Sequence, residues 1–242
     1  MRREERPRIL VDAGSRYNRM TDICEDVTVT APGRTPTATT IPTQRANIMS
    51  KQRQVLNKQN LGITPGLPLE ASQGGIEDLR RDIQRLMDME AIRQLKYAYF
   101  RCVDTCNLEE LATLFHDDVT VHFVGGSYQW NVQGKQDYVN NIGASFSREA
   151  VGQHHAHHPE IQMLSETEAT AIWYLEDNMW ILNHNARTRG TALYWDRYLK
   201  VNGKWLIKDT NYERIYEIND QLAARPNLSS HYLGSHGGEP QF

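Results

Sequence analysis

Cysteine is scarce in this chain: Cys24, Cys102 and Cys106 are the three among 242 residues. Three thiols cannot all pair, and the last two lie one turn apart on a predicted helix, so a reducing, cytoplasmic compartment fits best. No uninterrupted apolar run approaches the roughly 20 residues that span a bilayer. The charged start MRREERPRIL also lacks the apolar core of a secretory signal. We therefore expect a soluble protein without a membrane partner.

An excess of positive charge is also missing. The chain has 30 acidic and 27 basic residues, and its formal net charge is -3. Residues 1–75 carry 11 Lys and Arg against 7 Asp and Glu, whereas the remainder carries 16 against 23. An acidic domain argues against nucleic acid as a partner. Nothing resembles a nucleotide-binding glycine loop, so we expect no cofactor.

Proline is concentrated at one end of the chain. Residues 1–75 hold six of the nine prolines and the segment TVTAPGRTPTATTIPT, with little sustained periodicity. This composition predicts an extension that is disordered or loosely packed and dispensable for folding. A misassigned start is the alternative, because Met20 and Met49 both precede the periodic region.

Periodic patterns begin at residue 76 and define the domain, which we place at 76–218. Apolar residues at steps of three and four predict a long amphipathic helix from 76 to about 106. Shorter helices are predicted at 108–116 and 134–148, with a strand at 119–123 between them. The residues of the first helix stripe are Leu79, Ile83, Leu86, Ile92, Leu95, Tyr99 and Val103.

The rest of the domain has the pattern of strands. Alternation from Ala169 to Asp177 places Asp177 on an apolar, inward face. A carboxylate on such a face is expected to have a charged partner or a functional role. Two aromatic-rich strands at 187–217 flank Asn202–Gly203, a dipeptide suited to a tight hairpin turn. Helices followed by an antiparallel meander predict the α+β class. Residues 219–242 form a tail that we expect to close a pocket.

The segment HHAHHPEIQM, which begins at His154, contains four histidines in five residues. Imidazole is a costly core filler unless both ring nitrogens find partners, so some of these rings should face a cavity. Asp104 and Asp177 end two other elements and could meet His154 in one pocket, where they would provide general acid and base groups. A metal site is not expected, because His154 and His155 point to opposite faces of a strand.

Five segments together resemble the SnoaL-like branch of the nuclear transport factor 2-like superfamily: 90–104, 108–123, 134–139, 154–161 and 198–207. The resemblance covers about 76 to 217. It implies a cone in which long N-terminal helices pack on a strongly curved, mostly antiparallel sheet around an apolar pocket. Members include dehydratases, a dehydrochlorinase, isomerases and non-catalytic subunits, so the fold alone decides little about function.

The resemblance also implies site residues. In the dehydratase and dehydrochlorinase members, an aspartate on the first helix aligns with Asp104 and a strand histidine aligns with His154. The dehydratase adds an aspartate at Asp177 and a tyrosine at Tyr99. Tyr97 remains an alternative, because seven residues return a helix to nearly the same azimuth as Asp104. The further residues expected to bind substrate are Tyr97, His122, Trp130, Trp173 and Arg214, and the expected partners of Asp177 are Arg187, Arg189 or Arg214.

Two functional hypotheses follow. The first is a cofactor-independent lyase or isomerase for a hydrophobic cyclic small molecule, with His154 as the base and Asp104 stabilising the imidazolium. The second is a non-catalytic binding or assembly module, as in small subunits of ring-hydroxylating dioxygenases. For either we expect a homo-oligomer, a dimer or trimer, because this fold commonly buries the outer face of its sheet against a copy of itself.

Overall fold

The computed structural model describes residues 56–69, 74–126 and 128–239. Six strands of these residues form one sheet, in the order β2-β1-β6-β5-β4-β3. Their bounds are β1 Phe115–Val124, β2 Gln129–Gln133, β3 Ala150–Met163, β4 Glu168–Ile181, β5 Ala186–Val201 and β6 Lys204–Gln221. All neighbouring strands are antiparallel except β1 and β6, which are parallel. The predicted α+β class with a mostly antiparallel sheet is confirmed.

Four helices accompany the sheet in the part of the chain that the structure describes: α1 Ile76–Asp104, α2 Leu108–Ala112, α3 Lys135–Ser145 and α4 Tyr232–His236. The predicted helix at 108–116 is too long, because β1 begins at Phe115. The short strand β2 was not predicted. Its five residues alternate between exposed and half-buried, a pattern too brief and too polar to recognise. None of the described helices is long and apolar enough to cross a membrane.

Helix α1 ends at Asp104 for a local reason. Cys106 adopts a left-handed conformation, with φ of 50°. Its N–H donates to the Val103 carbonyl at 3.1 Å, and the Asn107 N–H donates to the Cys102 carbonyl at 2.8 Å. These two bonds form the Schellman pattern that terminates helices. The last helical position is therefore fixed at Asp104, beside β3, which α1 contacts.

The apolar stripe of α1 behaves differently in its two halves. From Ile92 onward the stripe is buried against the sheet, as predicted. In the first half Leu79, Ile83 and Leu86 are 42 to 50% exposed, so the prediction that they face the core is wrong. Asp88 is buried there instead and accepts hydrogen bonds from β5 and β6 side chains. Among the residues that the structure describes, this half of the helix presents an exposed apolar face.

The hairpin prediction is confirmed. Asn202 and Gly203 have φ of 51° and 80°, as a type I′ turn between β5 and β6 requires. Most hairpin aromatics, including Tyr194 and Tyr212, are buried within the monomer. They therefore add little apolar surface for an oligomer.

The two ends of the chain contact the domain where they are described. Residues 56–69 contact β3: the Leu67 N–H donates to the Met163 carbonyl at 2.7 Å, and Ile63 is buried. In the tail, Leu233 is buried and the His231 ring bonds the Ala150 carbonyl at 3.0 Å. Of the extension 1–75 that the sequence predicts to be disordered or loosely packed, residues 1–55 and 70–73 lie outside the described residues, and its dispensability for folding stays a prediction.

Candidate functional site

His154 and Asp104 are paired on the inner side of the sheet. The His154 Nδ1 lies 2.5 Å from Asp104 Oδ1, and the backbone N–H of His154 donates to Asp104 Oδ2 at 3.0 Å. One carboxylate thus holds both the ring and the backbone of the histidine. With Nδ1–H donating to Asp104, the lone pair of the ring lies on Nε2. No described residue hydrogen-bonds that Nε2, so it is available to accept a proton.

The position of Asp104 is unfavourable without its partner. A carboxylate at a helix C-terminus faces the negative end of the helix dipole, where a cation is preferred. The two hydrogen bonds to His154 offset this cost, and a protonated imidazole would offset it further. Asp104 is therefore held at the end of the helix by its two hydrogen bonds to His154.

Aromatic rings fix the orientation of the imidazole. Phe100, one turn before Asp104, stacks on His154 with centroids 5.9 Å apart and an interplanar angle of 16°. Phe146 approaches from the end of α3 at 6.0 Å. Gly152 provides the remaining space, because a Cβ there would lie 2.9 Å from Asp104 Oδ1 and 2.8 Å from Phe146 Cε1. The side chain of His154 is consequently only 10% exposed.

Asp177 lies beside His154 on the neighbouring strand. The two residues are paired in the β3–β4 register, so their side chains share the inner face. Of the three candidate partners, the structure selects Arg214, whose Nη1 and Nη2 donate to the two Asp177 oxygens at 2.5 and 2.6 Å. Both side chains are almost fully buried. Burial works against the Arg214 charge, but hydrogen bonds to Asp177 more than offset this and raise its pKa.

A second buried polar cluster lies deeper in the interior and was not predicted. Lys96 Nζ is 2.7 Å from Asp196 Oδ2, and both side chains are fully buried. Tyr198 donates to the same oxygen at 2.7 Å and accepts from Trp173 Nε1 at 2.9 Å. Burial lowers the pKa of Lys96, although Asp196 opposes this effect. The sequence carried one indication: Lys96 falls on the apolar stripe between Ile92 and Tyr99.

Tyr99 faces this interior cluster. Its hydroxyl lies 2.7 Å from that of Tyr138, and burial raises its pKa well above the ordinary value of 10.0. Such a hydroxyl keeps its proton and can donate a hydrogen bond. Among the described residues, no hydrogen bond or ring contact joins Tyr99 to His154.

The other predicted site residues have no contact with the His154–Asp104 pair among the hydrogen bonds and ring contacts of the described residues. Tyr97 is 44% exposed and touches the edge of Trp173, which is buried in the core. Tyr97 lies on the same side of α1 as Asp104. This side is the edge of the buried face of the helix, so Asp104 is half-buried and Tyr97 is exposed. His122 bonds Asn131 across β1 and β2, on the face opposite Phe123. Trp130 packs on the Phe123 ring.

The cysteines near this site are not suited to act as nucleophiles. Burial raises the pKa of the Cys102 thiol to about 11, so the thiolate that acts as a nucleophile is scarce at neutral pH. The pKa of Cys106 is raised for the same reason. Histidine and carboxylate side chains are therefore the candidate acid and base groups on the inner face.

Comparison with known proteins agrees with this architecture. A family model described as a SnoaL-like domain matches residues 84–211. A candidate scytalone dehydratase from Novosphingobium aromaticivorans is 22% identical, with 61% of this chain and 97% of that one covered and a TM-score of 0.52. A hexachlorocyclohexane dehydrochlorinase from Novosphingobium barchaimii is 17% identical, with 61% and 99% covered and a TM-score of 0.52.

A third similar structure is described differently. It is a candidate aromatic ring hydroxylase from Novosphingobium aromaticivorans, 13% identical, with 56% and 94% covered and a TM-score of 0.51. Identities this low show a shared fold and leave the chemistry to be argued from this chain. The cone-shaped, nuclear transport factor 2-like fold that the resemblance implied is confirmed.

Proposed function

The chain belongs to the SnoaL-like domain family, and from this premise we propose that it is a cofactor-independent lyase or isomerase acting on a hydrophobic cyclic small molecule. The observation that carries the proposal is the double hydrogen bond by which Asp104 holds the ring and the backbone of His154. A buried packing histidine needs partners for both ring nitrogens, whereas a general base needs one nitrogen held and the other left free.

The chemical step follows from the free Nε2 of His154. This nitrogen removes a proton from carbon, and the imidazolium that forms is stabilised by Asp104. In an elimination the C–H electron pair becomes the new double bond, and the leaving hydroxyl or halide departs with its own bonding pair. In an isomerisation the same imidazolium returns the proton to a different carbon of the substrate.

The Asp177–Arg214 pair supplies the complementary charge. Arg214 stays protonated and is held by Asp177, which is the register partner of His154 on the neighbouring strand. A buried guanidinium stabilises the negative charge that develops on a carbonyl oxygen or leaving group, because the low dielectric strengthens the interaction. The scytalone dehydratase and dehydrochlorinase descriptions of the similar structures agree with eliminations of this kind.

The experiment is a substrate screen with matched variants. Cyclic β-hydroxy ketones and halogenated cyclohexanes would be incubated in deuterium oxide, and elimination and carbon-bound deuterium would be followed by NMR. We expect turnover or exchange with the wild type and a loss of roughly 10²- to 10⁴-fold with His154→Ala. His184 is an exposed histidine before β5, so His184→Ala is the control and should behave like the wild type. Equal rates for the two variants would contradict the proposal.

A binding or assembly module is the second candidate, and one observation favours it. Half of α1 presents the exposed apolar residues Leu79, Ile83 and Leu86, which suit a protein partner or a second copy. Such a module does not require the His154–Asp104 hydrogen bonds. If Ile83→Glu changes the oligomeric state while His154→Ala alters no measured activity, the module is the better description.

A further inference from the structure

The outer face of β3 carries a second group of polar side chains that the proposed reaction does not use. Alternation separates His155 from His154, but it also places His155 and His157 on one face, two residues apart. Glu176 on β4 is the register partner of His155 and joins them there. One ligand atom from each of the three residues lies within 4.8 Å of the others.

The spacing of these atoms matches a metal centre. His157 Nε2 is 3.4 Å from Glu176 Oε2. Two ligands that bind a tetrahedral Zn²⁺ at about 2.0 to 2.1 Å lie roughly 3.4 Å from each other. The histidine and the carboxylate therefore already stand at the separation that a shared ion would impose.

The burial of the His157 Nε2 atom is not explained by a hydrogen bond among the described residues. The atom is buried, yet it has no hydrogen-bond partner among the described residues, because the contact with Glu176 does not meet hydrogen-bond geometry. Burying an unpaired ring nitrogen is costly. A bound cation would accept its lone pair and remove that cost.

The backbone around His157 is unusual in the same place. The register of β3 against β4 shifts between His157 and Glu160, and His158 adopts a φ of 48°. A non-glycine residue in this conformation is uncommon, and bulges of this kind re-aim neighbouring side chains. The rings of His155 and His157 lie 5.7 Å apart at 66°, so they converge without stacking.

We propose that His155, His157 and Glu176 bind a divalent transition-metal ion of the zinc type on the outer face of the sheet. Two imidazoles and one carboxylate suit Zn²⁺, Ni²⁺ or Cu²⁺ and do not suit Mg²⁺ or Ca²⁺, which prefer oxygen ligands. The ion links β3 to β4 at the register pair His155–Glu176, which is next to the pair His154–Asp177. Its role is to fix the two strands behind the proposed base without touching the substrate.

The test is a metal titration of the full, untagged chain after treatment with a chelator. We expect one Zn²⁺ per chain by calorimetry, a raised melting temperature, and Co²⁺ absorption bands of a low-coordinate site. Binding should weaken as the pH falls from about 7.5 to 5.5, because histidine must be deprotonated to bind metal.

Matched variants locate the ion. Removing the hydrogen-bond partner of a metal ligand typically lowers metal affinity roughly 10- to 100-fold. His155→Ala and Glu176→Gln each remove a ligand itself, so each should weaken binding at least as much. His184→Ala should leave the affinity unchanged. Absence of binding in the wild type, or equal affinity in Glu176→Gln and the wild type, overturns the proposal. Glu176 is exposed, so its variant decides the matter even if His155→Ala folds poorly.

Discussion

Replacing Lys96 by methionine should destabilise the protein strongly. The change removes a cation whose Nζ lies 2.7 Å from Asp196 Oδ2 in a fully buried pair. Asp196 would keep only the hydrogen bond from Tyr198, since its Oδ1 already has no partner among the described residues. Breaking a buried pair in this way costs about 3 to 5 kcal/mol of unfolding free energy. For a chain of this size the melting temperature should fall by roughly 6 to 20 °C.

The assay is urea unfolding followed by circular dichroism, with two comparisons. Arg101→Met breaks an exposed pair with Glu110 and should cost far less stability, because solvent screens exposed ion pairs. The double variant Lys96→Met, Asp196→Asn should regain part of the lost stability, because no uncompensated charge stays buried. A Lys96→Met loss no larger than that of Arg101→Met would refute the reasoning.

The same pair has a predicted pH dependence. Burial lowers the pKa of Lys96 below its ordinary value of 10.5. Between the lowered value and 10.5, the unfolded chain binds a proton that the folded chain has released, so stability rises with pH in this window. Lys96→Met should remove this rise. A wild-type slope that persists in the variant would assign the effect to other groups.

Three further outcomes are expected. Gly152→Ala should lower activity with little loss of helix content, because the new Cβ meets Asp104 Oδ1 at 2.9 Å; unchanged kinetics would contradict the tight fit. Ile83→Glu should dissociate the expected dimer or trimer in light scattering, and a wild-type monomer would remove that prediction. Above pH 10 stability should fall by about 1.4 kcal/mol per pH unit for each buried tyrosine, because the unfolded side chains ionise first. The part of the tyrosinate absorbance that the buried residues contribute should then appear only with unfolding, and these residues, whose pKa burial raises, are Tyr99, Tyr138, Tyr194, Tyr198 and Tyr212.

The sequence predicted the elements whose patterns are long and local. The steps of three and four residues located α1, and Asn202–Gly203 located the hairpin within a residue. The resemblance supplied the pairing of His154 with Asp104, two residues 50 positions apart that no periodicity connects. Alternation along β4 was enough to place Asp177 on the inner face beside them.

Other features depend on tertiary geometry that a single sequence does not contain. The choice of Arg214 as partner of Asp177 follows from how β6 is aligned with β5, which includes a register shift at Thr191 and Ala192. The burial of Lys96 depends on Asp196, which carries the opposite charge and lies 100 positions later in the sequence. The face that His122 occupies could not be predicted, because its strand neighbours do not reveal which side of the strand is covered.

The central claim, that His154 and Asp104 act as one catalytic unit, is tested most directly by a double-mutant cycle on proton transfer. His154→Ala should lower the exchange or elimination rate by roughly 10²- to 10⁴-fold, and Asp104→Asn should do comparable damage, because the amide cannot stabilise the imidazolium. The double variant should be little slower than either single one, since the unit is lost once. Wild-type activity in His154→Ala, or losses that multiply in the double variant, would contradict the account.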